Sequence, residues 1–367
     1  MAKISILKTR PETVIKDYHN LLNLAEYNRF IKKSNDTVLK LNLSWSLYYP
    51  ACSTEPWQLH GLLNAMKKDG YDFKKIHPVE NRTVVTDVWK GAEGNKWLSI
   101  LKKYNLRYEP LTETEWVNYK PKAEMLALDN VFKPYGSKSK SEPVYSIPKM
   151  FIGKNVIHLP TIKTHGHTQM TGAMKNAFGG LITTRRHHCH KEIHKILVDL
   201  LAIQKEIHPG IFALMDGTVA GDGAGPRTMI PKIKNTIIAG SDQVAIDAVS
   251  AHMMGYDPMK IPFIKIAHDR GLGCGDVDQI DFAGITKNEF KKINYHFKTN
   301  KSIVIYWDQM LRRKIKFIEP LLFHTPLFNM CIFASAFYHD YIWYNIVGKK
   351  RINQFMNTEW GKLWKKY

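Results

Sequence analysis

The sequence predicts an α/β fold with a mostly parallel, helix-covered, Rossmann-like sheet. Short apolar runs typical of buried strands alternate with longer amphipathic stretches that carry helix-capping residues. The first pair is an apolar run over 37–45 followed by a helix with Ser53 or Thr54 as N-cap, Pro56 in its first turn and Gly70 at its end. A strand followed by a helix is the unit from which parallel sheets are built.

The remaining elements follow from periodicity and capping. Residues 1–35 are predicted to form one amphipathic helix, and residues 80–145 are polar and irregular, with a loop at 137–143. Further strands are expected at 155–165, 211–216 and 235–240. A turn leading into a short helix is expected within 168–180, further helices at 187–207 and 241–255, and a glycine-rich loop at 217–226.

The pattern divides the chain into three regions. An N-terminal helix is expected over 1–36, and an α/β region over 37–300, as one unit or as two lobes, 37–150 and 151–300. Residues 301–367 are basic, aromatic and predicted to be helical. They are a poor candidate for a transmembrane span, and two interpretations stay open: a helical hairpin packed on the domain, or a segment lying at a bilayer interface.

Composition narrows the class of protein. The formal net charge of +20 favours anionic partners, such as a small anion or an anionic membrane surface. Nucleic acid is disfavoured, because the basic residues form no compact stripe with a recognised motif. Four separated cysteines without a C-x-x-C pair disfavour an iron–sulfur cluster, a zinc ribbon and a disulfide scaffold. We expect a cytoplasmic protein, because the N-terminus lacks the apolar core of a signal peptide. The alternative is a cytoplasmic protein located at the inner face of the membrane. A homo-oligomer is compatible with these features.

The stretch from 154 to 180 is the strongest candidate site. A buried strand opens into a turn rich in cations, imidazoles and hydroxyls, as ligand sites of α/β proteins do at the carboxyl ends of strands. Lys163 and His165 share a strand face, and Lys175 lies at the start of a helix, where backbone amides favour an anion. A lysine there either pairs a carboxylate or phosphate or acts as a nucleophile. The predicted ligand-binding residues of this stretch are Lys163, His167, Thr171, Gly172 and Asn176.

The glycine-rich segment after the strand at 211–216 is the second candidate. Asp216 and Asp222 are expected to orient a histidine, hold a hard cation or act as a base. Gly223 and Gly225 would let the backbone approach a ligand closely. The alternative is a turn with aspartate caps.

A histidine-rich helix start is the third candidate. His187, His190 and His194 would fall on one face of a helix, where imidazoles bind zinc or nickel. The absence of an H-E-x-x-H motif disfavours a zinc protease. The predicted metal ligands are His165, His190 and Asp222.

Several motifs together resemble the DUF362 family, a large prokaryotic group without an assigned function. They include K-x-N at Lys40 and Asn42, the P-x-x-K-T-H to N-x-F-G stretch at 160–179, D-G to G-x-G-P at 216–226 and S-D-x-x-A-x-D at 241–247. The resemblance covers about residues 37–285 and implies that Lys40 and Asn42 contribute to cofactor binding. Many members carry ferredoxin-like cysteine clusters, which this chain lacks.

A second resemblance concerns site geometry. His165 followed ten positions later by Lys175 is similar to the site of nickel-pincer lactate racemases, in which a lysine carries a nucleotide-derived cofactor beside a histidine.

The functional expectation is an enzyme that acts on a small carboxylate or phosphate, or on a nucleotide-like cofactor, with redox or isomerase chemistry. Lys175, His165 and Asp216 are its expected catalytic residues. The cofactor is unspecified, with a divalent metal or a nucleotide-derived group as candidates. The alternative is a peripheral membrane protein that binds a ligand or assembles through residues 301–367.

Overall fold

The computed structural model describes residues 2–129, 145–182, 186–313 and 325–367. The loop predicted at 137–143 lies outside these residues. The described residues form a ten-stranded central sheet with strand order β12-β1-β11-β10-β7-β2-β3-β4, to which β8 and β9 are added through β10, and a separate pair formed by β5 and β6. The strands are β1 Ala2–Lys8, β2 Thr37–Lys40, β3 Ile76–Glu80, β4 Glu109–Pro110, β5 Trp116–Tyr119, β6 Tyr145–Pro148, β7 Asn155–His158, β8 Thr161–His165, β9 Gln169–Thr171, β10 Ile211–Ala224, β11 Thr228–Gly240 and β12 Ile280–Ala283.

Helices cover both faces of this sheet, and each face has its own apolar core. The helices are α1 Val14–Leu24, α2 Tyr27–Phe30, α3 Pro56–Lys68, α4 Val88–Gly94, α5 Trp97–Lys103, α6 Ala173–Leu181, α7 Ile193–Ile207, α8 Gln243–Met254, α9 Pro262–Asp269, α10 Lys287–Lys291, α11 Ile303–Arg313, α12 Phe328–Ala336, α13 Lys349–Met356 and α14 Glu359–Trp364. A π-helical stretch, Phe337–Gly348, joins α12 to α13, and a 3₁₀ segment, Arg186–Glu192, precedes α7.

The predicted fold class is confirmed. The strands β10, β7, β2, β3 and β4 are parallel neighbours, whereas β11 is antiparallel to β10 and to β1. Strands from 1–36, 37–150 and 151–300 all belong to this one sheet. The domain boundaries themselves stay a prediction.

The prediction of a single helix over 1–35 is wrong. Residues Ala2–Lys8 form β1, which pairs antiparallel with β11 and parallel with β12. Ile4 and Ile6 are fully or almost fully buried, on either side of Ser5 in an apolar run that suits a strand. The helical pattern begins only at Val14.

The prediction of a glycine-rich loop at 217–226 is also wrong. Strand β10 continues to Ala224 and forms a long hairpin with β11. A Cβ atom on Gly217 would lie 2.5 Å from Ile162 Cδ1, and one on Gly221 would lie 2.3 Å from Met229 Sδ. These glycines therefore permit close packing within the sheet and its hairpin rather than a loop around a ligand.

Two local boundaries differ from the predictions. The strand expected over 155–165 is divided into β7 and β8 at Leu159 and Pro160. Helix α3 has Glu55 rather than Ser53 or Thr54 as its N-cap residue. The Thr54 hydroxyl instead donates to Leu159 O at 2.8 Å, and so holds the break between the two strands.

The C-terminal region is helical and packs on the sheet domain with one side. Trp45 Nε1 donates to Asp340 Oδ1 at 2.6 Å, and Trp360 packs on Trp57 with ring centroids 4.9 Å apart. Among the described residues, no helix is both long enough and apolar enough to span a bilayer. We call α11, α12 and the π-helical stretch the roof, because they cover the cavity described next.

Candidate functional site

A cavity of about 600 Å³ lies between the sheet edge and the roof. Its floor is formed at the carboxyl ends of β2, β3 and β8, where parallel strands commonly present ligand sites. Helix α6 and the 3₁₀ segment complete the floor. The predicted site residues in the wall are Lys40, Asn42, His165, His167, Thr171, Lys175, Asn176, His190 and Gly225.

Lys40 and Glu80 form a buried ion pair in the floor. Lys40 Nζ lies 2.6 Å from Glu80 Oε1, and both side chains are almost fully buried. Glu80 Oε2 also accepts from the backbone N–H of Leu43 at 2.8 Å. Glu80 therefore forms its ion pair with Lys40, and its charge also acts on Arg186, so this one carboxylate faces several cations of the floor.

Lys163 lies directly behind the wall rather than in it. Its ammonium donates to Asn42 Oδ1 at 2.7 Å, to Ser44 Oγ at 2.9 Å and to the carbonyl of Cys52. Burial lowers the pKa of Lys163 to about 8. Lys163 thus positions two polar side chains of the wall and adds positive potential behind them.

Lys175 projects from the first turns of α6 into the cavity. Burial, followed by repulsion from Lys163 and Arg186, lowers its pKa to about 7. Its Nζ lies 5.6 Å from the centroid of the Phe178 ring. Within the described chain, no carboxylate forms an ion pair with Lys175. This amine is available to a ligand.

Two arginines add to the positive wall. Arg186 donates to the carbonyls of Ile182 and Gly179 at 3.1 and 2.7 Å, so no carboxylate neutralises it through these bonds. Burial lowers its pKa to about 10. Arg227 Nη2 lies 3.4 Å from Ser335 Oγ of the roof, whereas its Nη1 is buried without a hydrogen-bond partner among the described residues.

His165 supplies a neutral imidazole. Burial, followed by the nearby charge of Lys175, lowers its pKa well below the usual value. Its Nδ1 accepts from the backbone N–H of His167 at 3.1 Å, which leaves Nε2 as the protonated nitrogen.

Two polar atoms of the wall lack partners inside the described structure. Thr171 Oγ1 and Asn176 Oδ1 are buried without hydrogen bonds, although Asn176 Nδ2 donates to Lys40 O at 2.9 Å. A buried polar atom without a partner is costly, so a ligand that supplies one would be stabilised there.

The N-terminus of α6, where the sequence predicts an external anion, is occupied by a carboxylate of the chain itself. Asp247 accepts from the backbone N–H groups of Ala173 and Met174 at 2.5 and 3.1 Å and so occupies that position. Burial raises the pKa of Asp247 to about 7. A Cβ atom on Gly172 would lie 2.0 Å from Asp247 Oδ1, so this glycine makes room for the carboxylate and does not line the cavity.

The structure groups different metal-ligand candidates from those predicted. His167, His190 and Asp308 place potential ligand atoms within 4.8 Å of one another. His167 Nε2 lies 3.8 Å from Asp308 Oδ2, and the two imidazoles stack with centroids 4.6 Å apart. His190 was predicted. His165 is outside this group, and Asp222 lies away from the cavity wall, accepting from Lys298 N–H at 2.9 Å.

Asp216, predicted to be catalytic, lies outside the cavity wall. Its carboxylate accepts from Tyr18 Oη at 2.5 Å, from Trp57 Nε1 at 3.0 Å and from Thr218 Oγ1 at 2.7 Å. Burial raises its pKa. Gly223 also lies outside, and its carbonyl accepts from Thr164 Oγ1 at 2.9 Å.

Four charged residues of the wall are not among the predicted site residues: Glu80, Arg186, Arg227 and Asp308. Glu80 ends a strand, and Arg186 adjoins the histidine cluster, so position could have indicated both. Asp308 reaches the cavity from the roof, far away in sequence, and no local pattern points to it.

Residues 37–252 match a family model described as a domain of unknown function, DUF362. The chain belongs to the DUF362 family. The matched range includes β2, β8, α6 and the 3₁₀ segment, and therefore the floor of the cavity. The roof lies beyond it.

A relative from Synechocystis is named a thylakoid-associated protein and is 30% identical over 121 residues, or 32% of this chain and 37% of the relative. The match thus spans little more than a third of that relative. No solved structure matches this chain. These matches do not extend to the nickel-pincer lactate racemases, so that likeness is not shown.

Proposed function

We propose that the cavity binds the anionic group of a small molecule and that Lys175 is the principal group that holds it. The observation that carries the proposal is an excess of cations over carboxylates in the described cavity wall. Lys175, Arg186 and Arg227 line the wall, while Glu80 is paired with Lys40. Among the described wall residues, the other carboxylate is Asp308.

The same residues support an enzymatic role with acid–base chemistry. An amine with a pKa of about 7, as at Lys175, is present in both protonation states near neutral pH and can both donate and accept a proton. The neutral imidazole of His165 provides a second proton carrier in the same wall. A carboxylate or phosphate held by Lys175 would share the cavity wall with both arginines and with His165.

Calorimetric titration of the full chain with sulfate tests anion binding, because the charge of sulfate does not change near neutral pH. We expect saturable binding that Lys175→Met weakens. Lys260→Met is the matched control, because the Lys260 side chain is 83% exposed and lies outside the cavity wall. Equal affinity in wild type and Lys175→Met would contradict the proposal.

Peripheral membrane association is a second candidate, favoured by the outer surface of the roof. Phe333, Phe337 and Tyr341 stack along one side with centroid separations of 6.1 and 5.6 Å, and Phe333 and Tyr341 are 71% and 67% exposed. Exposed Lys349 and Lys350 follow in the chain. Aromatic side chains beside lysines suit the interface of an anionic bilayer. The name of the Synechocystis relative is consistent with such a location.

Vesicle sedimentation tests this second candidate. We expect binding to vesicles of phosphatidylglycerol and phosphatidylcholine, and loss of binding in the double variant Phe333→Asp, Tyr341→Asp. Ile230→Asp is the control, because Ile230 is 43% exposed on the β10–β11 hairpin. Equal sedimentation of the double variant and the control would remove this candidate.

Metal binding is proposed as an accessory property of the same cavity. Two imidazoles and a carboxylate suit zinc or a similar borderline metal. We expect one equivalent of zinc in native mass spectrometry, and its loss in His190→Ala. Retention of the zinc by that variant would place the metal elsewhere.

A further inference from the structure

The two sides of the cavity differ in chemistry. The floor carries Lys175, Arg186 and the imidazoles described above. The roof faces them mostly with apolar side chains, namely Ile303, Val304, Ile305, Trp307, Leu311, Phe328 and Ile332. A compact polar anion would use only the floor and leave this apolar surface facing water.

The roof is attached to the floor closely enough to enclose a ligand. Gln309 Nε2 donates to Gly166 O at 2.9 Å, and a Cβ atom on Gly166 would lie 2.8 Å from Ile305 Cδ1. At the far side, Arg227 reaches Ser335 of the roof. The apolar side chains of the roof therefore form a wall of the cavity rather than a separate surface.

Three apolar residues belong both to the cavity wall and to the protein surface. Val84, Ile303 and Trp307 line the cavity, yet they are 43%, 53% and 49% exposed. These exposed wall residues show that part of the apolar lining is accessible to solvent. An apolar lining disfavours a fully hydrated ion and favours a ligand with an apolar part.

We infer that the ligand is an amphiphile with one anionic head group and an apolar chain. The head group lies on the floor at Lys175 and Arg186, and the chain lies against the roof. This inference rests on the proposed anion-binding function and deepens it by naming the ligand class. A volume of about 600 Å³ lies within the range of about 300–1,000 Å³ typical of ligand pockets.

A homologous series of alkyl sulfates tests the inference by calorimetry with the full chain. Methyl, butyl, hexyl and octyl sulfate share one head group, and octanol supplies the chain without the charge. We expect affinity to rise about fourfold for each methylene that the roof buries, so that octyl sulfate binds about 250-fold more tightly than butyl sulfate if all four additional methylenes are buried, with one molecule per chain.

Variants separate the cavity from non-specific detergent binding. Ile332→Asp places a negative charge in the roof, and Ile332→Ala removes apolar contact with little risk to folding. We expect both variants to weaken the binding of octyl sulfate. In Ile332→Ala, the binding of methyl sulfate should be less affected than that of octyl sulfate. Ile230→Asp, outside the cavity, should change neither.

The outcomes distinguish this inference from the function on which it rests. Equal affinities for methyl and octyl sulfate would overturn the amphiphile while the anion site stands. Octanol binding as tightly as octyl sulfate would overturn the anion site itself. Octyl sulfate bound by many molecules per chain, and unchanged by the Ile332 variants, would also overturn the inference.

Discussion

Anion affinity should depend on pH through Lys175. Its pKa is lowered from 10.5 to about 7 by burial and by neighbouring cations. A bound sulfate offsets that repulsion and favours the protonated amine, so binding takes up a proton wherever the free amine is neutral. Affinity is therefore greatest below pH 7 and falls as the pH rises above it.

The magnitude follows from proton linkage. If the bound anion raises the pKa of Lys175 to about 9, the affinity for sulfate should be about tenfold lower at pH 8 than at pH 6. His165 adds little to this slope, because its pKa lies well below the usual value. Lys163, with a pKa of about 8, also loses its charge as the pH rises and so adds to the fall in affinity for sulfate.

The Lys175→Met variant isolates this contribution. A hydrogen bond to a charged group contributes about 1.5–3 kcal/mol, so the variant should bind sulfate about 10- to 150-fold more weakly at pH 6. Its pH dependence should be shallower than that of wild type. Isothermal titration calorimetry at pH 6, 7 and 8 measures both quantities, with Lys260→Met as the control. An affinity in wild type that is equal at pH 6 and pH 8, or a slope that Lys175→Met leaves unchanged, would refute the reasoning.

Three further predictions concern folding stability and are read from urea unfolding. Because the pKa of Lys175 is lowered in the folded protein, the unfolded chain binds more protons between pH 7 and pH 10.5. The free energy of unfolding should therefore rise with pH across that window more steeply in wild type than in Lys175→Met. Parallel pH profiles of the two proteins would contradict this. Lys40→Met leaves Glu80 buried and unpaired and should cost about 3–5 kcal/mol, with a smaller loss when Glu80→Leu is added; a double variant less stable than Lys40→Met would contradict the pairing. Gly172→Ala puts a Cβ atom 2.0 Å from Asp247 Oδ1 and should cost about 1–3 kcal/mol, whereas wild-type stability would mean that the contact relaxes freely.

The sequence predicts the site best where its residues lie close together along the chain. The stretch that forms β8 and α6 combines a buried strand with a polar turn, and Lys175, His165 and Asn176 do lie in one wall. Their proximity could be predicted because a strand, a turn and a helix that follow one another directly in sequence remain neighbours in space.

Long-range packing set the limits of prediction. Asp308 and Arg227 enter the wall from the roof and from the β10–β11 hairpin, and no nearby pattern connects them to β8. Gly217 illustrates the limit, because glycine is common both in loops and at sites of close packing, and only the neighbouring Ile162 distinguishes the two. Asp216 ends an apolar run, as catalytic carboxylates do, but it is held by Tyr18 and other buried donors.

Isotope-edited NMR of Lys175, assigned with the Lys175→Met variant, tests the central claim most directly. We predict that Lys175 titrates near pH 7 in the free protein and that sulfate shifts its pKa upward. A pKa near 10.5 that sulfate leaves unchanged would contradict an anion site built around this amine.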